Sequence, residues 1–208
     1  PSLTSGFNDG DFLNMSYYVL NTNDYSKAYI DPVAGNPPSA IVLTGDDNTT
    51  TYTYVSTPPD PFTENPNHTS SVDFCVDLTS GNPTRLYFDL KQTTSYAITN
   101  SDGDYALSNF RVMVNGVQEG PLYNPFYFGG NDPYQTIVVD LTAYTGQTVD
   151  LSLQHNGKFS PIATTASGLG DVSYVDNIQL VEIGDSDAGV AQVNILPNNC
   201  NLGTNENL

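Results

Sequence analysis

Short segments of alternating apolar and polar residues, punctuated by Gly, Pro, Asn and Asp, limit what this chain can fold into. They run Phe12–Leu20, Ser26–Ile30, Ala40–Leu43, Thr50–Ser56, Val72–Leu78, Arg85–Gln92, Phe110–Val114, Gln135–Leu141, Val149–His155 and Ser173–Glu182. Side chains alternate faces along a strand, so Leu86, Phe88 and Leu90 share one face, as do Leu151 and Leu153. Helix formers are nowhere gathered at a 3.6-residue period. A row of short strands with no helix must bury one sheet face against another. The expected fold class is all-β, a two-sheet antiparallel sandwich.

Composition agrees. The 208 residues suffice for one substantial core, or one domain and a fragment of another. The 14 Tyr and 9 Phe separate this chain from acidic disordered sequences, which lack aromatics. The formal net charge of −18 repels phosphate backbones and anionic lipid, which excludes nucleic acid as a partner. No apolar run approaches the ~20 residues of a membrane span, so no membrane insertion is expected. The acidity serves solubility or, alternatively, loading with calcium, which takes clustered oxygens. Acidic, Thr- and Asn-rich composition points to an extracellular setting.

Two connections are long. Pro58–Ser70, with four prolines, reads as an extended surface loop, and Glu119–Pro133 carries aromatic residues between Pro and Gly. Gly184–Gly189 is the linker candidate. It divides the chain into a sandwich over residues 1–184 and a following segment over 185–208. Alternation turns Cys75 away from Val72, Phe74, Val76 and Leu78, among polar neighbours. Cys200 is expected to pair beyond Leu208 or stay free, with a Cys75–Cys200 bridge as the alternative.

Several segments carry a family resemblance. Gly6-Phe-Asn-Asp-Gly10, Val76-Asp-Leu-Thr79, Arg85-Leu-Tyr-Phe-Asp89, Phe110-Arg-Val-Met-Val-Asn-Gly116, the stretch Val138–Val149 and Tyr174-Val-Asp-Asn-Ile178 follow one another in order. Together they resemble the jelly-roll modules of the MAM and carbohydrate-binding superfamily. They are most similar to the choice-of-anchor J domains of large bacterial surface proteins and secreted peptidases, often exported by type IX secretion. The resemblance implies a jelly-roll β-sandwich over about residues 5–182. Asn8 stands where the family has Glu, and the chain has no Trp. The tail Ala188–Glu206 resembles the first strand of an Ig-like adhesion repeat, which implies neighbouring domains in the same polypeptide.

The resemblance brings the first and last strands together and makes Asn8, Asp9, Asp11 and Asp176 candidate ligands of a structural calcium; the alternative is that Asp176 caps backbone groups. Ser101-Asp-Gly-Asp104 reads first as a hairpin turn, and Asp46 and Asp47 as a charged loop tip. Tyr123, Tyr127 and Tyr134 are the candidate ligand-binding residues, because aromatic faces stack on the C–H faces of sugars. Phe126 and Phe128 are expected to pack. The competing reading has all these rings covering the sandwich edge. His68 and His155 read as surface or loop histidines. No zinc spacing, nucleophile elbow or phosphate loop is present, so no enzyme activity is expected. The expectation is a non-catalytic extracellular module that binds a glycan or a surface-protein ligand in adhesion. The alternatives are a carbohydrate-binding accessory domain of a secreted exoenzyme and a structural spacer.

Overall fold

The computed structural model describes residues 18–35, 39–46, 52, 60–94, 97–98, 105–106, 108–125, 133–161, 170–183 and 194–195. Among these, strands dominate: β1 (Tyr18–Asn21), β2 (Ser26–Asp31), β3 (Ala40–Gly45), β4 (Thr69–Asp77), β5 (Thr84–Thr93), β6 (Ala97–Ile98), β7 (Tyr105–Ala106), β8 (Asn109–Val114), β9 (Val117–Tyr123), β10 (Gln135–Asp140), β11 (Thr148–Asn156), β12 (Val172–Glu182) and β13 (Asn194–Ile195). One sheet runs β1-β4-β11-β8-β9, with β13 also paired to β4, and the other runs β10-β5-β12-β3-β2. Every pairing is antiparallel. The fold is the expected all-β jelly-roll sandwich.

The alternation read from the sequence builds the core. Leu86, Phe88 and Leu90 of β5 meet Val72, Phe74 and Val76 of β4, Phe110 and Val112 of β8, and Leu151 and Leu153 of β11 in one buried cluster. Phe88 and Phe110 pack with ring centroids 5.7 Å apart across the two sheets. Each such side chain contributes about 1.5–3 kcal/mol by leaving water.

Four expectations change. The stretch 58–70 is not simply extended: Pro61–Glu64 forms a helical turn, α1, and Pro66–His68 a 3₁₀ turn. Asp60 caps α1 by accepting from the Phe62 N–H, and Phe62, Asn65 and His68 are buried. The Arg111 guanidinium holds the turn down, 3.9 Å from the Phe62 ring centre and 3.0 Å from Asp60 Oδ2. The loop placed at 119–133 gives up its first part to β9, which β8 reaches through a tight turn with Asn115 and Gly116 at positive φ. Asn-Gly was the available signal for that hairpin.

Cys75 is fully buried and disulfide-bonded, and the only other cysteine in the chain is Cys200. The full burial of Cys75 corrects the polar setting expected for it. Cys200 itself lies outside the described residues, but β13 joins β4 at Val76 and Asp77, beside Cys75. The histidines are the fourth correction. His68 is buried between the rings of Tyr25 and Tyr52, and His155 is wholly buried. Ring contacts hold His68, and His155 Nδ1 lies 2.8 Å from Ser173 Oγ.

Candidate functional site

The five-stranded sheet turns one face to the core and the other outward. Strand register sets a row on the outer face. Tyr29 of β2 lies opposite Val42 of β3, Val42 opposite Tyr174 of β12, and Tyr174 opposite Lys91 of β5. Leu90 pairs with Gln135, so Tyr134, one residue before β10, continues the row beside Lys91. Along Tyr29, Tyr174 and Tyr134 each ring is therefore two strands from the next, about 9.5 Å at ordinary strand spacing. Lys91 Nζ sits between the last two, 5.6 Å from the Tyr174 ring centre and 5.9 Å from that of Tyr134. Tyr29 is 38% exposed, and Tyr134, Tyr174 and Lys91 are half-buried.

A second row runs two residues along. Asp31 faces Ala40, Asp89 faces both Asp176 and Thr136, and Asp176, which follows Val175 opposite Ile41, falls beside Ala40. Two partly exposed carboxylates, Asp31 and Asp89, with the buried Asp176 in register between them, thus lie along one side of the tyrosines. Asp89 accepts from Thr136 Oγ1 at 2.6 Å and Asn177 Nδ2 at 2.8 Å, and Asp31 Oδ1 accepts from the Val33 N–H at 2.9 Å. Asn177 takes positive φ at a bulge in β12, which lets its amide turn toward Asp89. The phenols register this surrounding. Burial first, then Asp176, Tyr174 and Asp89, hold the Tyr134 phenol above its ordinary range and oppose its ionisation, against a lowering hydrogen bond from the Gly35 backbone. Burial and then Asp31 raise Tyr174, while burial, Tyr174 and Asp31 raise Tyr29.

A cavity of about 320 Å³ opens beside this face, between the edge strands β9 and β10. Gln92, Tyr123, Asn124, Pro125, Pro133 and Gln135 are among the residues that line it, so neighbours of Tyr134 on both sides turn into the cavity while Tyr134 faces outward. Tyr123 is less exposed than the sequence suggested. Its ring packs on Phe110 at 6.2 Å, and burial raises its phenol.

Of the residues singled out from the sequence, Tyr134 joins the tyrosine row and Tyr123 lines the neighbouring cavity. Tyr127, Phe126 and Phe128 lie outside the described residues. So do Asn8, Asp9, Asp11 and the 101–104 turn, although β6 and β7 pair on either side of that turn. Asp176 is fully buried, its Oδ1 accepting from the Asn177 N–H at 2.7 Å. Facing Asp89 across the pair, it has the oxygen chemistry a hard cation needs. The first and last strands do not meet in the way expected: among the described strands, β1 and β12 lie in opposite sheets and β13 pairs with β4. Tyr29, Lys91 and Tyr174 were missed in the sequence. Tyr29 stands on the polar parity of its strand with Lys27 and Asp31, and Tyr174 on the parity opposite Val175. Those were the available signals.

One arrangement has the composition of a nucleophile–base pair. His155 Nδ1 lies 2.8 Å from Ser173 Oγ, near Asp171. All three are fully buried, however. Burial pushes His155 down to about 3, and the Asp171 carboxylate is engaged by Thr94 Oγ1 and by the Lys158 and Phe159 N–H groups. The set ties the 157–161 segment to β12; a substrate has no access to it.

No family model matches the chain, and no curated protein sequence matches it. Solved structures with a similar fold include a carbohydrate-binding module, CBM27-1 of Caldicellulosiruptor saccharolyticus, in complex with mannohexaose: 11% identity, 89% of this chain and 99% of that one covered, TM-score 0.49. The module TmCBM61, in complex with β-1,4-galactotriose, shares 11% identity over 86% and 94% of the two chains with TM-score 0.45. The CBM22-2 xylan-binding domain of Paenibacillus barcinonensis Xyn10C shares 12% identity over 86% and 97% with TM-score 0.41.

Proposed function

We propose that this chain is a non-catalytic, extracellular glycan-binding module that takes an extended sugar chain across the outer face of its five-stranded sheet. The observation that carries this reading is the row Tyr29, Tyr174, Tyr134. Three partly exposed rings lie at a spacing of about 9.5 Å, the order of a disaccharide step in a β-linked chain, and each offers an aromatic face to C–H groups. Carboxylates and amides alongside them can accept from and donate to hydroxyls. The cavity at β9 and β10, with Tyr123, opens on the other side of β10 from these rings. A buried disulfide at Cys75 fits an oxidising compartment.

The same proposal includes a choice-of-anchor J module of a bacterial surface protein exported by type IX secretion. The resembling segments fall in order on β4, β5, β8, β10 to β11, and β12. It also includes a structural calcium held by Asp176 with Asn8, Asp9 and Asp11, and residues 185–208 as the start of an Ig-like neighbour. Of that tail, only Asn194–Ile195 is described, paired with β4.

The test is a glycan array probed with the whole chain and with the Tyr29→Ala and Tyr174→Ala variants. Each lost ring should weaken retention about fivefold, the equivalent of about 1 kcal/mol for one aromatic contact, with an unchanged melting temperature. Retention of no glycan, or retention indifferent to both substitutions, would remove the proposal.

A further inference from the structure

The charges around the tyrosines bear on which glycans they can accept. Asp31 and Asp89, both partly exposed, stand in one row beside the aromatic row, with the buried Asp176 between them. The cation on the aromatic row, Lys91, has its ammonium drawn between the Tyr134 and Tyr174 rings. Lys27, on β2, is paired with Asp46 at 2.7 Å. The chain as a whole carries −18. A ligand lying on the rings therefore meets net negative charge at close range and more behind it. Resting on the glycan reading above, we infer that this face selects by charge: it favours glycans bearing protonated amino groups, accepts neutral ones and rejects uronic-acid and other anionic glycans.

Two features accord with this selection. Lys91 shows that an ammonium is at home between these rings, through attraction to their faces. The phenols of Tyr29, Tyr174 and Tyr134 all resist ionisation in part because of Asp31, Asp176 and Asp89. The field that opposes a phenolate there opposes a bound carboxylate in the same place.

The experiment is titration calorimetry of the whole chain with three β-1,4-linked hexasaccharides, of glucosamine, glucose and glucuronate, at pH 6 and at two salt concentrations. The glucosamine hexamer should bind about fivefold or more tighter than the glucose hexamer at low salt, as expected for a single additional close charge pair in water. Glucuronate should show no binding. The preference should shrink in high salt. Tyr174→Ala should weaken the glucosamine and glucose hexamers alike, which separates this face from diffuse attraction to an acidic protein. Asp31→Asn should lower the glucosamine-to-glucose affinity ratio. Binding of glucuronate as tight as that of glucose, or a glucosamine affinity unchanged by Tyr174→Ala, overturns the inference and leaves the glycan reading standing. Binding of none of the three overturns it too, and the array then decides separately whether the glycan reading survives.

Discussion

His155 shows how much one side chain's position decides. Sequence placed it at the end of a strand before Asn156 and Gly157, where an exposed imidazole is ordinary. The fold closes the 157–161 segment over it, and burial holds it neutral with its ionisation pushed down to about 3. The stability this supplies is complete above the unfolded-state value of about 6.5 and is lost as pH falls from there toward 3, at up to about 1.4 kcal/mol per pH unit. Asp73 works in the opposite sense: burial raises its carboxyl against hydrogen bonds from Ser152, Ser71 and Asn21, so protonation there favours the fold. Urea midpoints at pH 7 and pH 4.5 should therefore fall less in His155→Asn than in the parent, and equal slopes would refute the assignment. At the same scale, millimolar calcium should raise the melting temperature and a chelator should reverse it, with the rise lost in Asp176→Asn; a melting temperature indifferent to calcium counts against the metal site. Asp176 was legible as a candidate because acids in a terminal strand motif are conspicuous. Tyr174, two residues earlier, was not, since only register places it beside Lys91.

At the scale of elements, the turn α1 was readable and was obscured by its neighbours. Asp60-Pro61 is an N-cap followed by Pro at the first helical position, but four prolines within 58–70 argued for an extended loop. Its anchoring is what the sequence could not supply, because Arg111 comes from β8. Phe62→Ala should cost about 3 kcal/mol, and Asp60→Ala about 1 kcal/mol through the lost cap, both by chemical denaturation. Equal small effects from the two would mean that Phe62 does not hold the turn. Strand β9 was hidden for a similar reason. Gly120 and Pro121 interrupt its pattern, and as an edge strand it can tolerate both.

The whole molecule is closed by contacts between distant parts of the chain. β13 lies beside β4, and Cys75 next to that pairing is bridged. Reduction should lower stability by about 2–4 kcal/mol. Calorimetry with and without reductant checks this, and an unmoved transition would show that the bridge is absent or idle. The sequence by itself determined the fold class, most strands and the inward face of each. Period-2 alternation is local, and apolar side chains must leave water whatever the topology. Only the tertiary structure decided which outward side chains share a surface. Tyr29, Lys91 and Tyr174 come from three strands and Tyr134 from the residue before a fourth, far apart in the chain, and hydrogen-bond register between those strands aligns them.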